Sequence, residues 1–140
     1  MIILDTNVLS ALMRDRPDPA VISWLDEQPA ESIWTTAVTV LEVRMGLELL
    51  RVSRRRTQLE TAFNQLCQQD LDGRVLAFDT TAADAAAIAL AAAQRRGQSI
   101  EIRDGQIAGI CLARRATLAT GNIRHFEPLR VTVVDPWGGS

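Results

Sequence analysis

The chain opens on an unbroken apolar run, Met1-Ile2-Ile3-Leu4, cut off by Asp5-Thr6-Asn7. That length suits a short buried strand, and the polar residues suit the turn into a helix. The same alternation continues to the end. Residues 6–14 read as a helix. Asp18-Pro19 starts another, with Asp as cap and Pro at the first helical position, running to about Gln28. Ser32-Ile33-Trp34-Thr35 reads as a strand, Ala37 to Leu50 as a strong helix, and the stretch after Val52-Ser53 as a further helix to about Gln69. Asp72-Gly73 is a turn before the strand Val75-Leu76-Ala77-Phe78. The Ala-rich segment 81–96 is a helix ended by Gly97, and 104–115 is the next. Thr117-Leu118-Ala119-Thr120 and Val131-Thr132-Val133-Val134 read as the last strands.

Strands therefore alternate with helices, and each strand is a short apolar run rather than an in-out alternation. Strands buried on both faces read that way, so the pattern predicts an α/β protein: a three-layer α/β/α sandwich with a central, mainly parallel five-stranded sheet. Right-handed crossovers make such a sheet doubly wound, and ligands then gather beyond the carboxyl ends of its strands. Asp5, Asp79 and Asn122 all follow strand ends and fall on that rim. No repeat, linker or composition shift divides the chain, which predicts one domain over residues 1–140.

Three acids occupy positions that ought to be dry, where an unpaired charge is costly. Asp5 reads either as a helix N-cap or as a metal ligand at the sheet edge, with Thr6 and Asn7 placed to orient it or hold a water. Glu42 shares helical spacing with Val38, Leu41, Met45 and Leu49, so the pattern points it inward; a buried ion pair with an Arg is the alternative. Asp104 opens a helix whose face continues through Ile107, Ala108 and Cys111, with an N-cap as its alternative. Asp79 reads as a plain N-cap. Asn122 offers an amide oxygen, and the only His, His125, lies near the same rim but cannot make a metal site alone. Three converging carboxylates with no soft donor beside them select Mg²⁺ or Mn²⁺ and point to phosphodiester hydrolysis.

Composition narrows the field further. Apolar residues make up 47% of the 140 positions, yet no stretch approaches the ~20 residues that cross a bilayer. With no secretory leader in evidence, these features predict a soluble, cytoplasmic protein. Cys67 and Cys111 sit among helical apolar residues without zinc spacing, as buried thiols do. Net charge is −2, so no overall basic field draws in nucleic acid. All fifteen basic residues are Arg. Arg grips phosphate bidentately, although an Ala-rich chain suggests codon bias as the simpler cause. Lys is absent, which excludes any mechanism that needs one. The basic cluster Arg51 to Gln58 reads as a solvated face, with RNA backbone or an acidic partner as the alternative.

Taken together, these segments resemble PIN-domain proteins. Ile2-Ile3-Leu4-Asp5-Thr6-Asn7-Val8-Leu9 is similar to the family's opening motif, Thr36-Ala37-Val38-Thr39-Val40-Leu41-Glu42-Val43-Arg44-Met45-Gly46 to its second, Arg103-Asp104-Gly105-Gln106-Ile107-Ala108 to its third, and Leu118-Ala119-Thr120-Gly121-Asn122-Ile123-Arg124-His125-Phe126 to its fourth. The resemblance spans essentially the whole chain, and VapC-like toxins fit best. It implies an α/β/α sandwich, a divalent metal, endoribonuclease activity, a cognate antitoxin, a homodimer, and DNA contact only indirectly through the antitoxin. Carried over by position, Asp5 and Asp104 would be the principal metal ligands and Glu42 would complete the acidic pocket. Thr6 and Thr120 would shape it or place a water. Arg103, Arg124 and His125 are the candidates for holding substrate. Many relatives carry an acid in the fourth motif where this chain has Asn122, which favours a single ion or one recruited with RNA.

Two rival readings remain. A phospho-accepting signalling domain would share the sheet, with Asp79 as acceptor, but needs a lysine and an acidic pair that are missing. A catalytically weak PIN scaffold that binds RNA or protein is the other, supported by Asn122.

Overall fold

The computed structural model describes residues 1–138. Five strands, β1 (Ile2–Leu4), β2 (Ile33–Thr36), β3 (Val75–Leu76), β4 (Thr117–Ala119) and β5 (Val133–Val134), form one sheet in the order β3-β2-β1-β4-β5. Every pairing is parallel, with Ile3 opposite Trp34 on one side and Leu118 on the other. Seven helices join them: α1 (Thr6–Met13), α2 (Pro19–Asp26), α3 (Ala37–Leu49), α4 (Arg54–Gln65), α5 (Thr80–Arg95), α6 (Ile102–Arg114) and α7 (Ile123–Phe126). The order reverses between β1 and β4, so the chain leaves the sheet in opposite directions at those neighbouring strand ends. That is where a doubly wound sheet opens a crevice.

Adjacent residues of a strand face opposite sides of the pleat, and the two cores follow from that. Ile3 and Leu118 belong to the core under α5 and α6, with Ile107, Ile110, Cys111 and Phe126. Leu4 and Ala119 belong to the core under α1 to α4, with Val8, Leu9, Val21, Val43, Leu47 and Phe63. Both faces of the sheet are thus covered, as continuous apolar strands require. Between α5 and α6 the approach is close because α6 offers glycine. A Cβ on Gly109 would run into the Ala82 carbonyl oxygen, and one on Gly105 into the Leu90 side chain.

Local chemistry sets most helix starts. Asp18 accepts from the Ala20 N–H at 3.0 Å with Pro19 at the first position. Thr36 caps α3 through the Thr39 N–H at 3.0 Å, Ser53 caps α4 through Arg56, and Asp79 caps α5 through Ala82. Gly97, at φ +79°, takes the left-handed turn that ends α5. Several boundaries differ from the sequence reading: β3 stops at Leu76 instead of Phe78, and β5 begins at Val133 instead of Val131. The helix after Ser53 runs only to Gln65 and then widens into a π turn, Leu66–Asp70. Helix α6 begins at Ile102, so Asp104 stands inside its first turn rather than capping it. Helix α7 and the 3-10 turns Ala30–Ser32 and Glu127–Leu129 are too short for periodicity to reveal.

Candidate functional site

Asp5 leaves the end of β1, and Thr120 leaves the end of β4 beside it. Asp5 occupies the N-cap position of α1, yet its side chain makes no capping bond. It turns instead toward β4. Its Oδ2 accepts from Thr120 Oγ1 at 2.9 Å and from Asn7 Nδ2 at 3.2 Å. Asn7 is the hub of this corner: its amide also donates to Thr120 Oγ1 at 3.1 Å and accepts from the Gly121 N–H at 2.9 Å. The Asn122 N–H completes the set with a 3.0 Å bond to Thr120 Oγ1. One hydroxyl thereby uses its single donor and both acceptor lone pairs. Asp5, 5% exposed, is thus held by Asn7 of α1 and by Thr120 at the end of β4.

Glu42 reaches the same corner from α3. Thr6 Oγ1 donates to Glu42 Oε1 at 2.9 Å, tying α3 to the start of α1. Of the four apolar neighbours whose spacing points Glu42 inward, Val38 does face the core, at 7% exposed, and the other three do not. Leu41, Met45 and Leu49 are 55%, 42% and 79% exposed, and the buried residues of α3 are Val38, Thr39, Val43 and Leu47. Glu42 lies on the border between these two apolar stripes, with its side chain 20% exposed. Glu42 lies near enough to Asp5 to feel its charge, and of the four neighbours used to orient it only Val38 is buried.

Asp104 enters from α6. No hydrogen bond from the described residues reaches it, and His125 Nδ1 stands 3.9 Å from its Oδ2. Arg103 binds Glu101 at 2.7 Å and extends Nη1 to within 4.0 Å of Glu42 Oε2. Among the described residues, no Arg lies within ion-pair distance of Asp5 or Asp104. Arg124 and His125 are exposed on α7, and Asn122 is exposed just before it.

All three carboxyls are held above their ordinary values. Burial raises Asp5, against hydrogen bonds from the Thr6 N–H, Thr120 and Asn7 that favour the anion. Burial raises Glu42 as well, opposed by the Thr6 hydroxyl and reinforced by the charge of Asp5. Asp104 is pushed up to about 6, first by burial and then by Asp5 and Glu101. The acids therefore lie near enough to repel one another, and the protein supplies too little positive charge to relieve them. Among the described residues, no three His, Cys, Asp or Glu side chains are gathered tightly enough for a complete metal cage. Mg²⁺ does not require one, because it keeps several waters and takes one or two carboxylates together with substrate phosphates. The donor set, carboxylates with no thiolate or imidazole cluster beside them, fits such an ion.

Three further residues shape this corner, of which the sequence reading used only Thr36, as the first residue of the second motif. Glu101 adds negative charge beside Asp104, and only its closeness to Arg103-Asp104 hinted at it. Thr36 fixes where α3 begins, and hence where Glu42 lands. Trp137, far along the chain, lays its ring over Gly121 so closely that a Cβ there would stand 3.0 Å from it; its indole N–H donates to Asp18 at 2.9 Å.

Comparison with known proteins adds to this geometry. Residues 2–129 match the family model described as the PIN domain. The chain is 37% identical over 137 residues to the VapC ribonuclease Y4jK of Sinorhizobium fredii, covering 98% of both chains. It is 34% identical to Toxin FitB of Neisseria gonorrhoeae, covering 98% of this chain and 99% of the relative. A solved structure of FitAB bound to an IR36 DNA fragment superposes with a TM-score of 0.89 at 34% identity, covering 100% of this chain and 98% of the other.

Proposed function

Because this chain belongs to the PIN-domain family, we propose that it is a Mg²⁺- or Mn²⁺-dependent endoribonuclease acting as the toxin of a toxin–antitoxin pair. One observation carries the reading. Asp5 after β1, Glu42 on α3 and Asp104 on α6 feel one another's charge and have raised proton affinity, and the only opposing charges among the described residues are Arg103 and His125. A site built that way is strained until something positive enters it.

In this reading Asp5 and Asp104 would hold the ion, and Glu42 would complete the acidic pocket. The ion, when bound, supplies charge neutralisation at the scissile phosphate and lowers the pKa of a water. The chain's own residues do the positioning. Thr120 and Asn7 lock the Asp5 carboxylate by its Oδ2. Thr6 fixes Glu42 through Oε1 and leaves Oε2 facing Arg103. Arg103, once released from Glu101, and Arg124 with His125 would take the flanking phosphates of an RNA strand. RNA as substrate also makes the cytoplasm the expected place of action.

The partners follow from the same family. The DNA-bound FitAB structure supports a cognate antitoxin for this chain; in this reading DNA would be reached only through that antitoxin. The exposed stripe Leu41, Met45 and Leu49, continued by Leu50 and Val52, gives a second chain, a homodimer mate or an antitoxin, an apolar surface to bury.

The test is incubation of the purified protein with tRNA and rRNA fragments in Mg²⁺, Mn²⁺ or chelator. Cleavage that needs the ion, and is lost in Asp5→Asn and Asp104→Asn with the fold intact, is the expected result. A folded wild type that binds RNA but leaves it uncut in every metal would replace this reading with the catalytically weak scaffold that Asn122 suggests.

A further inference from the structure

Beside the acids lies a cleft of about 500 Å³ in which Gln98, Ser99, Ile100 and Pro128 have no part in the chemistry above. Asp104 and Glu101 belong to its lining, so it adjoins the acidic corner. One wall is the segment after α5, carrying Gln98, Ser99 and Ile100; the other is the turn from Arg124 and His125 to Pro128. We propose that this cleft is a subsite for one unpaired base next to the scissile phosphate, with Gln98 and Ser99 reading its hydrogen-bonding edge and Arg124 holding its phosphate. The proposal deepens the nuclease reading and rests on it.

Three observations carry it. The cleft shares Asp104 with the acidic corner, so a strand with one phosphate there must place a neighbouring nucleotide at its mouth. The walls are tied together and therefore preformed. Arg96 donates from the end of α5 to the Pro128 carbonyl, and its Nε donates to Gln98 Oε1 at 3.3 Å. With that oxygen engaged, the amide NH₂ of Gln98 remains to donate to a ligand. The lining also suits a base. Ile100 and Pro128 offer apolar surface, while an amide, a hydroxyl and a guanidinium offer directional contacts. Proteins read single-stranded RNA through such combinations of flat apolar contact and edge hydrogen bonds. The volume lies within the range of small-ligand sites, ~300–1,000 Å³.

The experiment measures binding in chelator, by fluorescence anisotropy, to a set of short single-stranded RNAs that differ at one position only. A base-reading hydrogen-bond pair discriminates by about fivefold or more. The wild type should prefer one base by that margin, Gln98→Ala with Ser99→Ala should flatten the preference, and Gln98→Glu, which trades a donor for an acceptor, should favour a different base. Circular dichroism checks that the variants are folded. An absence of preference in the wild type, an unchanged preference in the double variant, or a loss of antitoxin binding with RNA binding untouched would each overturn the subsite. Cleavage in Mg²⁺ is scored separately. Cleavage with an unaltered base preference sinks the subsite and spares the nuclease reading, whereas base-selective binding without cleavage does the reverse.

Discussion

Replacing Asp104 by Asn should stabilise the metal-free protein while removing its function. The carboxyl sits at about 6 in the folded chain against an ordinary 3.8. The folded state therefore holds this proton more tightly than the unfolded chain does. For such a group stability is highest at low pH, falls as pH rises from about 4 to about 6, and is flat above that. The whole gap of roughly two units corresponds to about 3 kcal/mol. The side chain is 20% open to solvent, and screening trims the figure. About 1–2 kcal/mol is the expectation, or a rise in Tm of about 3–6 °C for a domain of this size. No hydrogen bond from the described residues is lost in the exchange. The assay is a set of calorimetric melts of wild type and Asp104→Asn in chelator at pH 5, 6, 7 and 8. The variant should lead at pH 8, and the lead should shrink toward pH 5, where the wild-type carboxyl takes up its proton. Mg²⁺ should then raise the wild-type Tm and leave the variant unmoved. A variant no more stable than wild type at pH 8, or a lead that does not change with pH, would refute the argument that this carboxylate is electrostatically strained.

Other substitutions probe other links. Thr120→Val removes the hydroxyl that donates to Asp5 and accepts from Asn7 and Asn122, and should cost about 1–3 kcal/mol in a denaturant melt. Because that donor favours the Asp5 anion, its loss should also move the acidic limb of the activity profile to higher pH. Gly109→Ala drives a Cβ into the Ala82 carbonyl and should cost about 1–3 kcal/mol, read as a lower denaturant midpoint at unchanged slope. Trp137→Phe keeps a ring over Gly121 but loses the indole bond to Asp18, a change of about 1 kcal/mol with little effect on metal binding. Met45→Glu with Leu49→Glu leaves the core untouched, so the monomer should melt as before while light scattering and antitoxin co-purification lose the larger species.

The sequence by itself determined the elements and their order. Short apolar strands next to amphipathic helices leave a parallel sheet with two covered faces as the stable solution, and Asp18, Ser53, Asp79 and Gly97 mark helix boundaries by local hydrogen bonding and φ. It also exposed Asp5, since a carboxylate directly after a buried strand has few innocent uses. Tertiary structure decided which apolar stripe of α3 meets the sheet. Two stripes on that helix have the same period, and periodicity alone cannot say which one a neighbour covers, so Leu41, Met45 and Leu49 were assigned inward and lie outside. Only the folded chain brings Thr120 to Asp5 and Trp137 to Gly121, contacts that span more than a hundred residues or cross between elements. The raised proton affinity of Asp104 is likewise a property of assembly. It comes first from lost water and then from Asp5, and neither acts on the carboxyl in the unfolded chain, whereas Glu101, three residues away, is a neighbour in both states.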